Sequence, residues 1–168
     1  IQKTGEQSAD SPFNFTLSTP TVDRMGDIVK QDWDLKSFKQ NPICLFQHDS
    51  SMPIGVWENV SVVKGKLIGS LKMAKKGTSK LVDEVRSLLE QRILKAVSVG
   101  FTSAKSSLMK DGSGYVLGNN SLMEVSVVSI PANSQALLRS KSLSPELRAM
   151  LTQESDVQPT LRNKTMQT

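Results

Sequence analysis

The chain has 168 residues, one histidine, one cysteine and a formal net charge of +5. That length suits one domain, or one domain with a tail, and is enough to bury a core without cross-links. A lone cysteine rules out an internal disulfide, and one histidine beside it falls short of the three or four protein ligands of a zinc site. No cofactor or metal is expected.

No apolar run approaches the roughly 20 residues that span a bilayer. The polar start "IQKTGEQSADSP" is unlike a signal peptide. A soluble protein of a reducing compartment, with no membrane partner, is the expectation. The basic residues do not cluster with the eight aromatics (five Phe, two Trp, one Tyr). The charge therefore reads as a solvated surface rather than a specific nucleic-acid groove.

Residues 1–12 read as a flexible arm. "FNFTLSTPTV" alternates Phe13, Phe15 and Leu17 with polar neighbours, the period of a strand. "DRMGDIVKQDWDL" reads as a charged connection broken at Gly26. Asp34 is placed to cap a short helix carrying Leu35 and Phe38, which Pro42 stops. "ICLF" reads as a strand that runs on to His48, and Pro53-Ile54-Gly55 as a turn. "VWENVSVVKGKLIGSLKM" predicts a hairpin about Lys64-Gly65.

Thr78 or Ser79 caps a predicted helix to about Leu94, with Leu81, Val82, Val85, Leu88 and Leu89 on its core face. "KAVSVGF" and "LMEVSVVSI" predict strands either side of a loop with Asp111-Gly112 at its tip. Ser144-Pro145 predicts an N-cap and first helical residue, with a helix to about Gln153 and a disordered tail from Glu154. The domain expectation is an arm at 1–12, a folded domain at 13–140, and a C-terminal helix and tail at 141–168. The fold class is α+β.

The chemistry turns on His48. Cys44, the nearest nucleophile, lies four residues away; along a strand that is roughly 13 Å, against about 3 Å for a hydrogen bond. Cys44 therefore reads as a buried hydrophobe. On "KAVSVGF", Ala96, Ser98 and Gly100 share the face opposite Val97, Val99 and Phe101. Small residues there fit either a crowded sheet or a serine left open to another chain. On "LMEVSVVSI", Glu124 and Ser126 share the face opposite Val125 and Val127. That carboxylate reads either as exposed or ion-paired, or as the acceptor for an imidazole. The composition thus permits a Ser98–His48–Glu124 triad without requiring one.

Four stretches carry a resemblance over about residues 13–138: "LSTPTVDRMGDIV" with "WDLKSF", "NPICLFQHDSSMPIG", "LLEQRILKAVSVGF" and "MEVSVVSIPANSQAL". In this order they resemble the prohead maturation proteases of tailed bacteriophages, distantly similar to the herpesvirus assembly protease. The resemblance implies a small, mostly antiparallel β-barrel-like sheet surrounded by helices. It implies His48 as general base, Ser98 as nucleophile, and Glu124 where the herpesvirus enzymes carry a second histidine. Many relatives have a glycine near Gln91-Arg92.

The implied activity is that of a serine endopeptidase in the procapsid interior, in the host bacterial cytoplasm. Its substrates would be the major capsid protein, the scaffold or delta segment, and itself. Backbone N–H groups around Ala132 and Asn133 are the candidate oxyanion donors. Ser126 is held in reserve, placed to orient the site or bind solvent, and Asp49 reads as a turn residue. Two other readings stand beside this one: a non-enzymatic assembly protein with the same fold, and a nucleic-acid-binding module whose affinity would fall steeply with salt.

Overall fold

A computed structural model describes residues 12–141. The predicted helix at 144–153, the tail from 154 and nearly all of the N-terminal arm lie outside the described residues. Among the described residues the sheet has nine strands: β1 Phe13–Ser18, β2 Ile28–Val29, β3 Trp33–Asp34, β4 Ile43–Phe46, β5 Asp49–Val63, β6 Lys66–Met73, β7 Ala96–Leu108, β8 Tyr115–Val128 and β9 Leu138–Lys141. Two helices are present among the described residues, α1 Lys36–Gln40 and α2 Lys80–Glu90.

Strand β8 organises the sheet. Along one edge it pairs antiparallel with β7. It also pairs in parallel with three short strands in succession: β2 at Val116–Leu117, β3 at Asn120–Ser121 and β4 at Val125–Val127. From β4 the order continues through β5, β6, β1 and β9, all antiparallel. The charged connection predicted over 23–35 therefore contains two strands. Each is only two residues long, too short to show a period.

Among the described residues the sheet is not closed into a barrel, and helices do not surround it. Only an isolated bridge, Ala96 to Leu137, links the start of β7 to the segment entering β9. Beyond it, the outer edge of β7 has no partner strand among the described residues. The described residues are mostly β.

The core collects the apolar faces of these strands: Phe13, Phe15 and Leu17, Ile54 and Trp57, Leu67 and Leu71, Val97, Val125 and Val127. Phe15 meets Trp57 edge to face at 5.6 Å. The Trp57 indole N–H donates to the Val125 carbonyl at 3.1 Å, so this large side chain is buried with its polar atom satisfied. Helix α2 is capped by the Ser79 hydroxyl, which accepts from the Val82 N–H, and buries Val82, Val85 and Leu89.

The helix stops at Glu90, short of the expected Leu94. Arg92 takes a left-handed φ of 57° there. The Ile93 N–H turns back to the Leu88 carbonyl at 2.9 Å. A glycine would adopt that φ without strain. Here an arginine does, and its guanidinium donates to the Leu138 carbonyl at 3.1 Å. Pro53-Ile54-Gly55 is also not a turn: β5 runs straight through it, and register shifts against β4 on either side of Leu45–Pro53 accommodate the proline.

Candidate active site

His48 does not sit on the strand of Cys44. Strand β4 ends at Phe46, and Gln47 and His48 form a two-residue turn in which both are left-handed, with φ of 54° and 58°. β4 runs parallel to β8, and the Gln47 N–H extends that ladder to the Val127 carbonyl at 2.9 Å. The chain then folds back, so the imidazole returns over the preceding residues of β8. There its Nδ1 pairs with Glu124 Oε1. A carboxylate only accepts, so Nδ1 carries the proton, and in the neutral imidazole the lone pair is then on Nε2.

Ser126 holds both partners of that pair. Its hydroxyl accepts the His48 backbone N–H at 3.1 Å and donates to Glu124 Oε2 at 2.7 Å. It is fully buried. One hydroxyl thus fixes the turn that carries the imidazole and the second oxygen of the carboxylate that meets it.

Glu124 reaches this place because β8 carries a bulge. Gly100 pairs with Glu124 but the next residue, Phe101, pairs with Leu122, so Met123 is extra. Leu122 and Val125 are both buried while Met123 is exposed. The bulge changes which side chains face the core and leaves Glu124 and Ser126 on the other face.

Ser98 lies directly across from Ser126 in the β7–β8 ladder. Facing residues of such a pair have Cβ atoms about 4.5–5.5 Å apart. Ser98 therefore sits beside the group that anchors both His48 and Glu124. It is 8% exposed. No hydrogen bond joins its hydroxyl to the imidazole among the described residues; such contacts often tighten only when substrate binds.

A small cavity of about 40 Å³ opens beside Ser98. Leu17, Val29, Val99 and Phe101 line its apolar walls, and Ala132 and Asn133 line it as well. The segment holding those last two is clamped. Arg24 donates its backbone N–H to the Ala132 carbonyl at 2.9 Å and its guanidinium to the Pro131 carbonyl at 2.8 Å. The Asn133 amide donates to the buried Thr19 carbonyl at 3.1 Å. The N–H groups of Ala132 and Asn133 find no acceptor among the described residues.

Cys44 is buried, and burial pushes its thiol far above its ordinary value, which disqualifies it as a thiolate nucleophile. Asp49 is bonded within its own turn: its Oδ1 accepts the Ser51 hydroxyl at 2.6 Å and the Ser51 N–H at 2.8 Å. Those bonds hold its carboxyl below the usual range. Reading the sequence missed the clamp made by Arg24, because the arginine sits in a stretch with neither helix nor strand period. It also missed Gly100 as a neighbour of Glu124, since register is invisible in a single strand.

The family model for the caudovirus prohead serine protease matches residues 13–148, most of the chain. The chain belongs to the caudovirus prohead serine protease family. Among curated proteins it is similar to the prohead protease of Escherichia phage T5, with 27% identity over 124 residues, covering 71% of this chain and 57% of that protein. It is also similar to a capsid polyprotein of Pseudomonas phage PAJU2, with 30% identity over 139 residues, covering 80% of this chain but 20% of that protein. The chain thus spans between a fifth and a little over half of the length of these relatives.

Proposed function

We propose that this chain is a serine endopeptidase that works inside a phage prohead and cleaves the major capsid protein, its scaffold or delta segment, and itself during maturation. The observation that carries the reading is the His48 Nδ1–Glu124 pair anchored by Ser126, directly across the ladder from Ser98.

The chemistry follows from that arrangement. Glu124 holds the imidazole with its proton on Nδ1, so Nε2 is the base. Nε2 takes the Ser98 hydroxyl proton as Oγ bonds to the scissile carbonyl carbon. The carbonyl π electrons move to oxygen, and the oxyanion is met by the unpartnered N–H groups of Ala132 and Asn133 on their clamped segment. The imidazolium, stabilised by Glu124, gives its proton to the leaving amine as the C–N bond breaks. Water then attacks the acyl-enzyme by the same route in reverse, and Ser98 regains its proton.

The open edge of β7 supports an extended substrate. The Val97 N–H points to that edge, where it bonds Ala136 at 3.0 Å. By strand alternation the N–H and C=O of Val99 point the same way and are left for a substrate strand. The neighbouring cavity of about 40 Å³ has room for a few atoms, since one water needs ~10–15 Å³ by this measure. A small side chain next to the scissile bond fits it.

The test is co-expression with the coat protein, as wild type and as Ser98→Ala, with intact mass measured for every chain. Trimmed coat protein and trimmed enzyme only with Ser98 present is the expected outcome. Normal shells with identical full-length chains in both samples, and again with assembled shells, would make the chain an assembly protein instead.

A further inference from the structure

The Glu124 side chain packs against its partner across the ladder, Gly100 on β7. A Cβ built on Gly100 would stand 2.5 Å from Glu124 Oε1, and 3.0 Å from both Cδ and Cγ. The φ of Gly100 is not left-handed, so backbone freedom does not explain a glycine here. What the position supplies is an empty volume, and the Glu124 side chain fills it.

We propose that Gly100 is a positioning residue: its missing side chain is the seat that sets the Glu124 carboxylate against His48. The inference rests on the catalytic reading of His48 and Glu124 given above. Both carboxylate oxygens are engaged, Oε1 with His48 Nδ1 and Oε2 with the Ser126 hydroxyl. The carboxylate therefore has no free oxygen with which to give way. Adding one methyl at position 100 forces the side chain off its seat, and the contact nearest the intrusion, Oε1 with the imidazole, is lost first. Glu124 is the end of a flexible side chain at a partly exposed site. It can swing outward at small cost to folding while abandoning the imidazole. Ala at position 100 is thus expected to separate stability from activity.

The chain holds a single histidine, which makes the test unambiguous. In full-length protein labelled with 15N-histidine, the Nδ1–H resonance reports the bond to Glu124. In Gly100→Ala, as in Glu124→Ala, that resonance is expected to shift or vanish, while the melting temperature of Gly100→Ala stays within a few degrees of wild type. The rate of Ser98 labelling by a fluorophosphonate probe is expected to fall ~100-fold, the usual effect of misplacing a catalytic group by about 1 Å.

In the Glu124→Ala background the same Gly100→Ala change is expected to alter labelling by less than about 2-fold, because its target is gone. An unchanged Nδ1–H resonance in Gly100→Ala would overturn the inference. So would an equal fold-loss in both backgrounds, which would mean the methyl acts on something other than Glu124. If Glu124→Ala itself leaves labelling intact, the catalytic role assigned to Glu124 fails. The seat is then judged by the resonance alone.

Discussion

Two hairpins of this molecule are built alike and are used differently. Strands β5 and β6 are joined by Lys64 and Gly65, with φ of 49° and 72°. Strands β4 and β5 are joined by Gln47 and His48, with φ of 54° and 58°. Both are two-residue turns with both residues left-handed, the geometry that suits the twist of a hairpin and ordinarily recruits glycine or asparagine. The first hairpin follows that preference at one position, Gly65, where nothing lies within 4 Å of a built Cβ. The second ignores it and holds two ordinary side chains where each costs roughly 1 kcal/mol. The difference is that the second turn carries the imidazole. Strain is retained where a side chain is needed at a tight bend, and Ser126 offsets it by accepting the His48 N–H.

Breaking the second turn should have the largest consequence. His48→Ala keeps a left-handed non-glycine residue but removes the proposed base, and Ser98 labelling by a fluorophosphonate should drop about 10⁴-fold. Lys64→Ala, the equivalent change in the other hairpin, should leave it unaltered. An equal loss in both would mean the turns matter only for folding. Next comes the anchor. Ser126→Ala leaves a backbone N–H without its acceptor and frees Glu124 Oε2, so stability should fall by about 1–3 kcal/mol in urea unfolding. Labelling should fall as well, by more than that loss of folded protein explains. Unchanged kinetics would show that the turn holds itself.

Smaller effects sharpen the contrast in sign. Gly65→Ala should cost about 1 kcal/mol, because it brings a Cβ into a left-handed site. Gln47→Gly should gain something under 1 kcal/mol for the opposite reason. If both changes destabilise, the strain assigned to the active turn is not there.

The smallest effect concerns the buried thiol beneath this hairpin. Folding raises the Cys44 thiol above its ordinary value of 9.0, so the folded chain holds that proton more tightly than the unfolded chain. The associated stability is complete below pH 9.0 and erodes as pH climbs above it. Iodoacetamide at pH 8 should leave Cys44 unmodified in native protein and alkylate it in urea. Rapid native labelling would mean that β4 opens.

What the sequence disclosed of this site was its faces, not its contacts. Alternation in "LMEVSVVSI" separates Glu124 and Ser126 from Val125 and Val127, and the structure keeps that separation. The stripe on α2 and the Lys64-Gly65 hairpin are equally legible, because 3.6-residue and two-residue periods, and a glycine at a bend, are local signals. The bend at Gln47-His48 is not, since neither residue type marks a turn. The bulge at Met123 is hidden because a bulge exists only relative to a partner strand. The resemblance implied a barrel-like sheet where the structure has an open one, and strand patterns could not decide between them: whether β7 finds a neighbour at its outer edge depends on β9 and the loop before it, far along the chain. Parallel pairing of β2, β3 and β4 with β8 is likewise a matter of assembly, which no window of residues contains.

The dependence on β8 also sets a clock. His48 and Glu124 are 76 residues apart in sequence, and the acidic partner lies near the end of the domain. At a synthesis rate of about 5–20 residues per second, roughly 4–15 s pass between the making of the one and the other. Throughout that interval the nascent chain carries its histidine without the strand that orients it. If Glu124 orients the base as proposed, the growing polypeptide stays inactive on the ribosome until β8, which carries Glu124, has been made.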